Sequence, residues 1–153
     1  MRGRRVFVTG LGFVSPHGED PAAIFERLFL GESAIRTVRT GTPEMGADVL
    51  LASIDFGPGD RIGKADRLLM ARAAQLAVVA TRNALEDSGL MTRGRGPEEA
   101  AVYMGCGLGG AEILQESYRT YSARQSRRVR PTTIPLLLSS GPSSPVSLCL
   151  LLR

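Results

Sequence analysis

Ala101-Val102-Tyr103-Met104-Gly105-Cys106-Gly107-Leu108-Gly109-Gly110-Ala111-Glu112 is the stretch on which the reading of this chain turns. Ala101 to Met104 reads as a strand, the glycines after it as a tight turn, and Glu112 to Ala123 as a helix. Gly105, Gly107 and Gly110 match G-x-G-x-x-G between a strand and a helix, the setting of a dinucleotide-binding turn. That chemistry also needs an acidic residue about 20 positions on, for a ribose hydroxyl. From Ser117 to Arg153 there is no Asp or Glu. A close strand-to-helix crossover that needs small residues accounts for the glycines better. A small Rossmann-type nucleotide-binding domain stays as an alternative.

Outward from this turn, the pattern alternates between strand and helix. Arg5 to Val8 reads as a short buried strand followed by a Thr9-Gly10-Leu11-Gly12 turn. Asp20-Pro21 supplies an N-cap and a first-turn proline, Ile24, Phe25, Leu28 and Phe29 recur at helical spacing, and Gly31 stops the helix. Residues 32–60, punctuated by glycine and proline, read as irregular surface structure with room for one short strand. Ala65 to Ser88 is rich in good helix formers and is predicted as one long helix capped by Gly89. Leu69, Ala73, Leu76, Ala77, Ala80, Ala84 and Leu85 mark a small apolar face, which predicts the close approach of another element. The alternation predicts an α/β fold.

The 153 residues suffice for one domain with a core of Leu, Val, Ile and Ala, since aromatics are 5% and Trp is absent. Formal net charge is +4. Lys64 is the single lysine, and arginines cluster at Arg124, Arg127, Arg128 and Arg130. Such a balance suits nucleic acid, an anionic membrane surface or an acidic protein partner; no aromatic interleaving or nucleic-acid motif accompanies the arginines, so nucleic acid is not expected. Cys106 and Cys149 lie far apart with no metal-ligand spacing, which predicts a reducing, cytoplasmic setting. No signal peptide and no membrane span are expected, because every apolar run is far shorter than about 20 residues.

Several blocks in order resemble one family. Arg5 to Gly18 looks like the opening strand and loop of the elongating β-ketoacyl-[acyl carrier protein] synthases. Pro21 to Ile35, Lys64-Ala65-Asp66-Arg67 with the Ala-rich helix through Leu90, Met104 to Gly110, Arg130-Pro131 with Ile134-Pro135, and Leu150 to Arg153 resemble successive later blocks. The resemblance spans essentially residues 1–153. It implies a thiolase-like layered α/β fold of which this chain is an incomplete first half. It implies decarboxylative condensation in fatty-acid or polyketide synthesis, an acyl carrier protein as partner, a homodimer, and no cofactor.

By the same resemblance, Gly107 and Leu108 line the acyl-chain pocket, and Lys64, Arg127 and Arg128 dock the carrier protein. The family's nucleophilic Cys falls just past the position matched by Arg153, and its two His and its Lys fall much further on. No residue of this chain matches them, so no catalytic residue is assigned and the chain alone is expected to be inactive. Cys106, Cys149 and His17 read as packing or turn residues. A non-catalytic companion subunit like the chain-length factors is a further alternative. The family continues a helix past Pro135, whereas Gly141-Pro142 and Pro145 predict a break here. Half of a doubled fold leaves apolar faces bare, which predicts poor solubility or obligate assembly.

Overall fold

The structure is a computed structural model that describes residues 5–41, 46–91, 96–97, 99–124, 131–138 and 141–150. Helix α1, Pro21–Phe29, starts where the sequence predicts: the Asp20 carboxylate accepts from the N–H groups of Ala22 and Ala23, both at 3.3 Å. It ends in a Schellman motif. Glu32 N–H donates to Arg27 O, Gly31 N–H donates to Leu28 O, and Gly31 sits at φ 74°, where a β-carbon would be strained.

Residues 32–60 hold more structure than expected. Strands β1, Arg36–Thr40, and β2, Ala47–Leu51, pair antiparallel with Val38 opposite Val49 and Arg39 opposite Asp48. Most positions of both strands are exposed, so the hairpin has no buried face and leaves no clean apolar alternation to read. A 3₁₀ turn at Gly59–Arg61 then leads into α2, Lys64–Leu68.

The long helix predicted over Ala65–Ser88 is two helices, α2 and α3, Arg72–Asp87. The break carries Met70 and Ala71 into the core, while Leu68 and Leu69 stay exposed. Ala71 is extended, and its side chain caps nothing. Glu112 takes over instead, accepting from Arg72 N–H at 2.9 Å. Burial of Met70 and a cap from a distant element override continuous helix propensity. Helix α3 ends in a second Schellman motif, with Gly89 at φ 70°.

The alanine face of α3 receives a close neighbour, as predicted. The Gly10–Gly12 segment crosses it so closely that a β-carbon on Gly12 would collide with Ala80 O and Ala84 N, and one on Gly10 with Ala84 O. These glycines permit contact with a helix rather than a turn. Leu11 N–H donates to Asp87 Oδ2 at 2.8 Å and fixes the crossing.

Helices α4, Ala111–Arg124, α5, Thr133–Leu137, and α6, Ser143–Leu150, follow. The predicted break after Pro135 is present. Pro142 precedes α6 and Pro145 lies in its first turn, where a missing N–H removes no intrahelical bond. Helix α6 packs on α3 and places fully buried Val146 against a core of Phe56, Ile62, Met70, Ala74, Val78 and Val79.

The strands predicted at Arg5–Val8 and Ala101–Met104 have no ladder partner among the described residues, so neither is a strand by hydrogen bonding. Ala101–Met104 keeps the alternation of one: Val102 and Met104 pack on the core while Tyr103 is 93% exposed. Val6, Phe7 and Val8, predicted to be buried, are all exposed.

Candidate functional site

The glycine turn packs against the C-terminal helices. A β-carbon on Gly110 would lie 2.5 Å from Leu136 O, and one on Gly109 would lie 3.1 Å from Cys106 Sγ. Both glycines are buried, whereas Gly105 and Gly107 have no neighbour within 4 Å of where a side chain would begin. Of the three glycines in the dinucleotide-like motif, only the third is therefore required by packing. What faces it is a carbonyl oxygen, which repels a phosphate where a pyrophosphate-binding turn would attract one. Gly107 is exposed, Leu108 is 68% exposed, and Cys106 is a half-buried free thiol.

A half-open groove of about 800 Å³ runs between the end of α2, helix α4 and helix α5. Leu68, Met70, Ile113 and Leu136 give it apolar wall, and Glu116 and Arg119 give it charge. Neither Gly107 nor Leu108 lines it. A smaller depression of about 250 Å³ holds His17 beside Arg27, Glu32 and Arg36. His17 itself is a turn residue, its N–H donating to Ser15 Oγ at 3.2 Å.

Lys64 stands exposed at the first position of α2. Arg127 and Arg128 lie outside the described residues. The segment leading to Lys64 is held by charged groups that sequence reading did not single out. Arg61 grips the Glu19 carboxylate with two nitrogens, Nη1 to Oε2 and Nη2 to Oε1, the latter at 3.0 Å. Asn83 Nδ2 donates to Glu19 Oε2 at 3.1 Å, and Arg82 Nη1 donates to Arg61 O at 2.9 Å. The Arg61 hydrogen bonds hold the Glu19 carboxyl below its ordinary range, and Glu19 in turn raises Arg61.

The guanidinium groups of Arg61 and Arg72 each lie over the Phe56 ring, 5.8 Å from its centre. Arg72 also donates to the carbonyls of Ile54 and Phe56. Glu19 and Arg61 are 42 positions apart. No local pattern marks the pair, because an ion pair of that span exists only once the chain has folded.

Among the described residues, no group of three or more His, Cys, Asp or Glu is placed to hold a metal, and no helix is long and apolar enough to cross a membrane.

Comparison with known proteins supplies the context for these features. Residues 3–153 match the family described as Beta-ketoacyl synthase, N-terminal domain. The chain is 29% identical over 146 residues to 3-oxoacyl-[acyl-carrier-protein] synthase 2 of Staphylococcus aureus (strain N315), covering 95% of this chain and 35% of that protein. It is 32% identical over 147 residues to the tetracenomycin polyketide synthase ketoacyl synthase alpha subunit of Streptomyces glaucescens, covering 95% and 34%. The fold superposes with a TM-score of 0.71 on a type II polyketide synthase ketosynthase solved in complex with its acyl-carrier protein, at 21% identity over 95% of this chain and 40% of that one. The chain thus spans about a third of the length of the curated relatives it matches. With residues 3–153 matched by that family and the fold shared, the chain belongs to the β-ketoacyl synthase family, as its N-terminal portion.

Proposed function

We propose that residues 1–153 are the N-terminal part of an elongating β-ketoacyl-[acyl carrier protein] synthase, ending short of the nucleophile, and that they dock the carrier protein without performing the chemistry. The observation that carries this reading is the family match over residues 3–153.

In the complete reaction a cysteine thiolate attacks the acyl thioester and takes over the acyl group, releasing the carrier thiol. A malonyl thioester then loses carbon dioxide, and the carbanion so formed attacks the enzyme-bound acyl carbonyl. The new carbon–carbon bond gives a 3-oxoacyl thioester and frees the cysteine. Two histidines and an oxyanion hole stabilise the charge that develops.

This chain has one histidine, His17, set in a turn, and its Cys106 lies against Gly109. Among the described residues, no hydrogen bond joins the Cys106 thiol to a histidine or a carboxylate, and His17 is the one imidazole in the sequence. Residues 1–153 by themselves are therefore inactive, and the thiolate, both histidines and the lysine belong to the two thirds of the family's length that they do not span. In the intact enzyme Gly107 and Leu108 face the acyl chain, and their exposure here leaves them open to a covering element. Exposed Lys64, with Arg127 and Arg128, meets the acidic carrier, and charge of this kind sets encounter rate and orientation. The intact protein acts as a homodimer in a reducing, cytoplasmic compartment.

The test offers purified residues 1–153 an acyl-carrier thioester and a malonyl-carrier thioester. Carrier association with no 3-oxoacyl product supports the proposal. Product formed by this chain alone overturns the assignment of the chemistry, and absence of any carrier association overturns the docking role.

A further inference from the structure

Helix α2 is too short to hold its own direction. It has five residues, Gly63 gives it no side-chain cap, and an isolated helix of that length does not persist in water. Its orientation comes from its two ends. Downstream, Met70 and Ala71 are buried. Upstream, Ile62 is buried and Arg61, a third exposed, is held by hydrogen bonds from its side chain and to its carbonyl. The Arg61 guanidinium is held by the Glu19 carboxylate and by the carbonyls of Pro58 and Gly57. Its own carbonyl is held by Arg82 of α3. Glu19 is itself tied to α3 through Asn83.

We infer that Glu19 is a positioning residue for partner docking: acting through Arg61, it orients the start of α2 so that Lys64 meets an acidic partner protein. This deepens the proposed function and rests on its assignment of Lys64 to carrier docking.

Positioning and simple electrostatics predict opposite signs. Glu19→Ala removes a negative charge, so the chain becomes more basic, and long-range attraction to an acidic carrier rises. If Glu19 orients Lys64, the same change weakens carrier binding. The experiment is a double-mutant cycle on carrier affinity in the 153-residue chain, with Glu19→Ala, Lys64→Gln and the pair, joined to amide hydrogen exchange at Arg67, Leu69 and Met70. These three amides bond within α2 and its exit.

The expected result is about a fivefold loss of affinity for Glu19→Ala, little further loss when Lys64 is already Gln, and faster exchange at the three amides. Tighter binding, or an equal loss in both Lys64 backgrounds, overturns the inference. So does unchanged exchange at α2. Unaltered affinity in Lys64→Gln alone overturns the docking assignment beneath it, and the exchange data tell that failure apart from a failure of positioning. Glu19→Gln, which keeps the side-chain volume and one acceptor for Asn83, repeats every measurement should the alanine variant fold poorly.

Discussion

Replacing Gly12 by Ala puts a β-carbon onto α3 at the point where two elements come closest. The new atom would overlap Ala80 O and Ala84 N and stand 3.1 Å from Ala80 C. All three are backbone atoms of a helix, so none can rotate aside, and the 10–12 segment must lift off α3. That motion also stretches the bond from Leu11 N–H to Asp87 Oδ2. Overpacking of this kind costs about 1–3 kcal/mol, and the lost hydrogen bond adds ~1 kcal/mol. At roughly 2–4 °C per kcal/mol for a chain of this size, Tm falls by about 5–15 °C. The assay is thermal unfolding followed by far-ultraviolet circular dichroism. Gly105→Ala is the control, because that glycine has open space around it and no left-handed φ, and it stays within about 2 °C of wild type. Equal melting temperatures for Gly12→Ala and Gly105→Ala would refute the close crossing.

Three further outcomes follow from the same contacts. Val146→Ala removes two methyl groups from a site with no exposure, where α6 meets α3, and lowers stability by about 1–3 kcal/mol in chemical denaturation. The Glu19 carboxyl has a folded-state pKa below the ordinary 4.5, so its contribution is present above that value and lost as pH falls through the depressed one. Wild type and Glu19→Gln therefore converge in Tm once pH falls below that depressed value, and the gap at neutral pH is modest because both partners are a third exposed. With Val6, Phe7, Val8, Phe29 and Tyr103 all open to solvent, the isolated chain self-associates with rising concentration in sedimentation velocity, and a single monomer species at every concentration contradicts this.

What could be read from the sequence was what local chemistry determines. Asp20-Pro21 and Gly31 framed α1 because capping and left-handed exits depend on a few adjacent residues. The alanine face of α3 foretold a close neighbour because small side chains serve that purpose. The break at Leu69–Ala71 was hidden, since nothing in a run of good helix formers announces that Met70 is wanted in the core or that Glu112 will cap Arg72. The β1–β2 hairpin was hidden because both of its faces meet solvent. Arg5–Val8 carries strand composition, but strand structure belongs to a pair, and no described segment forms a ladder with it. For the candidate site, the resemblance supplied Lys64, whereas the Glu19–Arg61–Asn83 support came only from the folded chain.

The most direct test of the account is titration of an acyl carrier protein with residues 1–153 at two salt concentrations, for wild type and Lys64→Glu. The account predicts association that weakens as salt rises and that charge reversal at Lys64 abolishes or reduces at least tenfold. Binding that ignores both salt and the sign of residue 64, or no binding to wild type, would contradict it.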